Sequence, residues 1–221
     1  MTALPGFFGK VPARGDFLGR RVPHWPEANW EDWLAAFTVA AREALGDAWP
    51  EDWLTAPLWH FTLGAEIAPP HGAAGVLVAS ADRVGRLFPF TLIAPAATTG
   101  ASLAADRRAA DDWSRTAETL TFDALEDGFD PDALDAALQS LGPPPAFDGA
   151  PLPTGNWLLE LDNDWPARNP DTLEDPILPP PGPRQSTWWC RGSDRMAPIS
   201  LRSTGLPGPA LSAAMITGLF E

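Results

Sequence analysis

The residues of this chain whose types and spacing suit chemistry fall in two short polar stretches. They are Lys10, Arg14 and Asp16 within GKVPARGDF, and Ser80, Asp82, Arg83 and Arg86 within ASADRVGR. Guanidinium forks bind carboxylates and phosphates through paired hydrogen bonds, so these arginines fit a recognition patch for a carboxylate, a phosphate or an acidic loop on a partner. The same residues also fit an Asp/Arg network that only locks two loops together, because buried charges must be paired and hydrogen-bonded. A third use makes Ser80 and Asp82, with His60, the nucleophile, acid and base of a small hydrolase or phosphatase. No GxSxG elbow surrounds the serine, and the chain reads as a non-enzyme.

The rest of the chemistry-bearing inventory is sparse. His24, His60 and His71 are isolated, with no HxH or HExxH spacing, so no metal site is expected. The single cysteine, Cys190, sits between Trp189 and Arg191, and although a nearby cation lowers a thiol pKa, it reads as a buried, inert residue. GFFGK and RVGR contain glycine but match neither GxxxxGK[ST] nor GxGxxG, and no cofactor is expected.

The elements that must position the two polar stretches can be read from hydrophobic pattern. In residues 75–95, GVLVASADRVGRLFPFTLIAP, two continuous apolar runs flank the second stretch, which predicts a hairpin buried on both faces with a charged tip. Gly85 supplies the positive φ that a tight turn needs. Residues 6–11 read as a strand, and placing it beside the hairpin brings both polar loops to one end of the sheet. Residues 58–63 alternate, with Trp59, Phe61 and Leu63 on one face and Leu58, His60 and Thr62 on the other, so three consecutive strands form an antiparallel meander.

Helical spacing runs from Trp25 to Leu45 and again over 105–126, where Ala109, Trp113, Ala117, Leu120 and Ala124 share a stripe. A short helix over 47–54 has Asp47 as its cap and Pro50 in its first turn. Asp130 before Pro131 caps another helix that ends at Gly142 and Pro143. Short strands are expected over 157–161, 187–190 and 199–203, the last two paired around Gly192. A final helix over 207–220 buries Leu211, Ala214, Met215, Gly218 and Leu219. The proline-rich stretches 143–155 and 176–183 are connectors. Helices at both ends and in the middle, around strands covered on two faces, predict an α/β (α+β) fold: a three-layer α-β-α sandwich with a mostly antiparallel sheet, forming one domain over 1–221.

Composition bounds the function. Twenty-nine acidic residues against 15 basic ones give a formal charge of −14, and Lys10 is the only lysine. Such a surface repels nucleic acid and anionic membranes, which are bound by clustered cations, and favours partners with basic surfaces. A chain of 221 residues buries roughly 70% of its unfolded surface, enough for a core without disulfides. No apolar run reaches the ~18 residues of a membrane span and no signal peptide is apparent, which predicts a soluble, cytoplasmic protein without membrane insertion. Eleven tryptophans imply a core filled by few large groups, with Trp25 or Trp188 as candidate surface anchors for a partner helix.

GFFGKVPARGDF at 6–17, LTAPLWHFTLG at 54–64 and GVLVASADRVGRLFPFTL at 75–92 resemble, in order and spacing, the N-terminal signature of the TagF family, also called ImpM, associated with bacterial type VI secretion. STWWCRGS at 186–193 and the GLP with its helix at 205–220 are similar to that family's end. The chain departs from the family pattern at Ala79, where a proline is expected, and at Ala81, where valine is usual. The resemblance implies a cytoplasmic accessory protein that represses assembly of the secretion system after translation. It would do so by binding the system's forkhead-associated scaffold protein until a kinase pathway or another signal relieves the block. It also implies a sandwich similar to longin-like trafficking domains, and it brings no catalytic set.

Overall fold

The computed structural model describes residues 4–25, 29–96, 103–144, 157–160, 182–197 and 199–220. Its centre is the predicted hairpin, β4 (Ala73–Val78) and β5 (Phe90–Pro95), paired antiparallel with Val78 opposite Phe90. Every residue of β4 is buried, which explains the lack of alternation in its sequence: each side chain meets protein whichever way it points. Around this pair lie β1 (Gly6–Gly9), β2 (Leu18–Arg20), β3 (Trp59–Leu63), β6 (Trp157–Glu160), β7 (Gln185–Cys190) and β8 (Ile199–Thr204). The order across the eight-stranded sheet is β2-β1-β5-β4-β3-β7-β8-β6, and all neighbours are antiparallel.

Helices cover both faces. On one side Trp59, Phe61 and Leu77 of the sheet pack with α1 (Trp30–Leu45), α2 (Trp49–Leu54) and α5 (Pro209–Thr217) through Leu34, Phe37, Trp53 and Met215. On the other, Phe7, Val76, Phe90 and Leu92 pack with α3 (Leu103–Asp123) and α4 (Pro131–Leu141) through Trp113, Ala117, Leu134 and Leu138. Each large apolar side chain so buried contributes about 1.5–3 kcal/mol. The result is the three-layer α-β-α arrangement expected from the pattern.

Several boundaries differ from the sequence reading for physical reasons. α1 starts at Trp30, because Asn29 accepts a bond from the Asp32 amide and caps it, while Trp25 lies outside the helix and is buried. Asp47 is no cap: residues Gly46–Ala48 form a 3-10 turn, and α2 begins after Ala48 with no side chain bonding its first amides. α5 ends at Thr217 on a left-handed Gly218, which leaves Leu219 exposed and buries Ser212 and Ile216 in its place. Trp188, a candidate surface anchor, is fully buried against Phe61, Trp30 and Trp33. Asp130 does cap α4, accepting from the Asp132 amide, and Gly142 stops it with φ +70°. Position 161 and nearly all of both proline-rich connectors lie outside the described residues. Among the described residues no helix is long and apolar enough to cross a membrane.

A braced pair of loops at one end of the sheet

β1 runs antiparallel to β5 with Gly9 opposite Phe90, so the loop after β1 and the loop between β4 and β5 leave the same end of the sheet. They are then bonded to each other. The Arg83 amide donates to the Arg14 carbonyl at 2.8 Å, the Lys10 amide to the Pro89 carbonyl at 3.4 Å, and the Arg86 guanidinium to the Gly15 carbonyl. Two stretches some seventy positions apart in the chain therefore form one rim, with Arg14 and Asp82 on the same side.

Asp82 is its keystone. One carboxylate oxygen accepts from the Val84 amide (3.0 Å) and the Arg86 amide (2.9 Å), the other from Arg86 Nε (2.6 Å), and the latter also lies 3.1 Å from Lys10 Nζ. Gly85, at φ +83°, closes the turn between those two amides. The Asp82 side chain is 0% exposed. Burial pushes its carboxyl up, and the bonds from Arg86, Lys10 and Val84 outweigh that effect and hold it well below the usual carboxylate range.

The rim thus has an inside and an outside. Lys10, Ser80 and Asp82 are buried; Arg14, Asp16, Arg83 and Arg86 are exposed. Among the described residues neither Arg14 nor Arg83 enters an ion pair. Ser80 serves the frame through its carbonyl, which accepts from the Trp53 indole at 2.8 Å and the Phe88 amide at 3.0 Å, while its hydroxyl is buried and meets no hydrogen-bonding group. No histidine stands at the serine. His60 faces the other layer, its Nε2 2.9 Å from Glu118 of α3 and its ring stacked on Trp189, and this bond draws the Glu118 carboxyl below its ordinary range against the effect of partial burial. Among the described residues no group of His, Cys, Asp or Glu is placed to hold a metal ion. Cys190 is buried, and burial pushes its thiol up.

Sequence reasoning about polar residues passed over the apolar part of this rim. Phe17 is half exposed and packs on Phe8 (5.6 Å between ring centres, stacked) and on Phe88 (4.8 Å, edge to face), with Lys10 Nζ 5.0 Å above its ring. Val84 is 68% exposed at the tip of the turn. The signal was present in the strings themselves, since GDF ends the first loop on an aromatic residue and RVGR places valine between two arginines.

The fold and the site define a three-layer α+β protein that carries a rigid, outwardly basic loop pair on one end of an antiparallel sheet. Residues 6–141 match the family described as TagF N-terminal domain, Type VI secretion system-associated, and the chain belongs to that family. It is a type VI secretion system-associated protein. PA0076 from Pseudomonas aeruginosa PAO1, known from a crystal structure, is similar over 98% of this chain and 96% of its own, at 28% sequence identity and a TM-score of 0.73. No curated protein matches.

Proposed function

We propose that this protein is a cytoplasmic accessory protein of the type VI secretion system that represses assembly after translation, by binding the system's forkhead-associated scaffold protein and without catalysis. The observation that carries this reading is the outward set of guanidinium groups, Arg14, Arg83 and Arg86, held by a buried Lys10–Asp82 pair in a family tied to type VI secretion. On a body of charge −14, a rim with four cations and two acids is a local exception that attracts acidic surface on a partner. Asp82 is buried with its carboxylate oxygens already engaged by Arg86 and Lys10, and Ser80 is buried with its hydroxyl unpartnered, which supports a role in shaping the rim over one in turnover.

Arg83→Glu is the clean test, because Arg83 gives only its backbone amide to the frame whereas Arg86 is built into it. Capture of the purified scaffold protein should fall at least about tenfold, in line with reversal of an interfacial charge, with the thermal midpoint unchanged. Undiminished capture removes the rim from the contact. Phosphatase and esterase assays check the non-catalytic reading: turnover by the wild type that Ser80→Ala abolishes would make the protein a hydrolase.

A further inference from the structure

We infer that the rim is a docking surface for an acidic segment that also carries an apolar anchor side chain, seated on Phe17 and Val84 between the arginines. This rests on the reading of the rim as the contact surface and adds the chemistry of what it takes. Three observations carry it. The first is exposure of apolar groups where the fold gains nothing from it: Val84 is 68% and Phe17 50% exposed, although the Val84 amide bonds Asp82 and the Phe17 ring lies under Lys10, both of them buried. The second is rigidity. The amides on both sides of Gly85 are tied to Asp82, the loop is bonded to its neighbour at Arg14 and Gly15, and Phe17 is wedged between Phe8 and Phe88, so little conformational freedom remains to be lost on binding.

The third observation is charge. The stretches 10–17 and 79–89 hold Lys10, Arg14, Arg83 and Arg86 against Asp16 and Asp82, a local excess of two positive charges on a chain of −14. A small free anion is a poorer occupant. The buried cation, Lys10, is already taken by Asp82, and the Arg86 fork is spent on Asp82 and the Gly15 carbonyl. What faces solvent is an aromatic ring on the first loop and, on the second, an aliphatic side chain set in the chain between Arg83 and Arg86, the residue types found at the energetic centres of protein interfaces. Carboxylates answer the arginines, and one apolar side chain answers Phe17 and Val84.

The test uses the full chain and three synthetic peptides of equal length: one mixing Glu and Leu, one of Glu and Ser, and one of Lys and Leu. The Glu/Leu peptide should bind at least about tenfold more tightly than Glu/Ser, and Lys/Leu should not bind. Val84→Ser and Phe17→Ala should each weaken the Glu/Leu peptide several-fold, while Val39→Ser, at an exposed position on α1, should not. Val84 makes no core contact, so its variant remains informative if Phe17→Ala proves unstable. Equal binding of Glu/Leu and Glu/Ser, or insensitivity to Val84→Ser, overturns the inference. Scaffold capture is scored on the same variants. Loss with Arg83→Glu but not with Val84→Ser leaves the proposed function standing and removes the anchor. No capture by the wild type, with the peptide pattern intact, removes the proposed partner and leaves the surface.

Discussion

At the scale of single residues the rim turns on Asp82. Its folded pKa is depressed, so it contributes stability that is fully present above the unfolded value near 3.9 and is lost as pH falls toward the folded value. Asp82→Asn leaves Lys10 buried beside a neutral amide and should lower neutral-pH stability by about 3 kcal/mol, the low end for breaking a buried pair. The difference between wild type and variant should then shrink by about 1 kcal/mol between pH 4 and pH 3, as the wild-type carboxylate begins to lose its advantage. Denaturant titrations at stepped pH read this directly. A difference that stays constant through the acid range would mean that the Lys10 and Arg86 bonds do not favour the ionised form. The i, i+4 spacing of Asp82 and Arg86 was legible in the sequence; which of the polar residues would be sealed inside was not, because burial of a loop carboxylate depends on a strand from elsewhere in the chain.

At the scale of elements, the loop is held from below by α2. Trp53 is fully buried, and its indole N–H reaches the Ser80 carbonyl, so this short helix fixes the start of the tip. Trp53→Phe should cost about 1–3 kcal/mol and speed hydrogen exchange at the Val84 and Arg86 amides more than at the β4 amides. Uniform acceleration would instead point to a general loss of stability. The centre of β4 is less forgiving: a methyl group at Gly75 would meet the Leu92 carbonyl and the Phe61 ring, so Gly75→Ala should cost at least about 3 kcal/mol, seen as a fall in thermal midpoint. The hairpin and its neighbours were readable because β4 and β5 are apolar without interruption, the mark of strands covered on both sides. β2 was not, since Leu18, Gly19 and Arg20 are too few and too mixed to show a period. α5 misled for the opposite reason: Leu211, Ala213, Ala214, Met215 and Ile216 make it apolar nearly all round, so no stripe distinguishes the covered side. The His60–Glu118 contact joins positions 58 apart on a strand and a helix, and no local spacing announces it.

At the scale of the whole molecule, antiparallel pairing gathers the polar loops at one end, and the net charge gives that end its meaning. The sheet order places β1 beside β5, which pairs with β4, so Lys10 and Arg14 join Arg83 and Arg86 on one rim of a chain whose net charge is −14. A partner with an acidic contact segment is then repelled by the chain's net charge and drawn to this end, which favours one orientation on approach. The consequence is kinetic. The association rate with the scaffold protein should fall at least about tenfold when ionic strength is raised from about 0.05 M to about 0.5 M, because screening shortens the reach of the rim's field. Dissociation should change far less, since the buried part of the contact is held by packing. Arg83→Glu should lower the low-salt rate and flatten its salt dependence, and Val84→Ser should leave the rate nearly unchanged and shorten the lifetime of the complex. Stopped-flow or surface-based kinetics separate the two. A wild-type rate indifferent to salt would show that the rim's charges do not guide encounter, even if they touch the partner once it is bound.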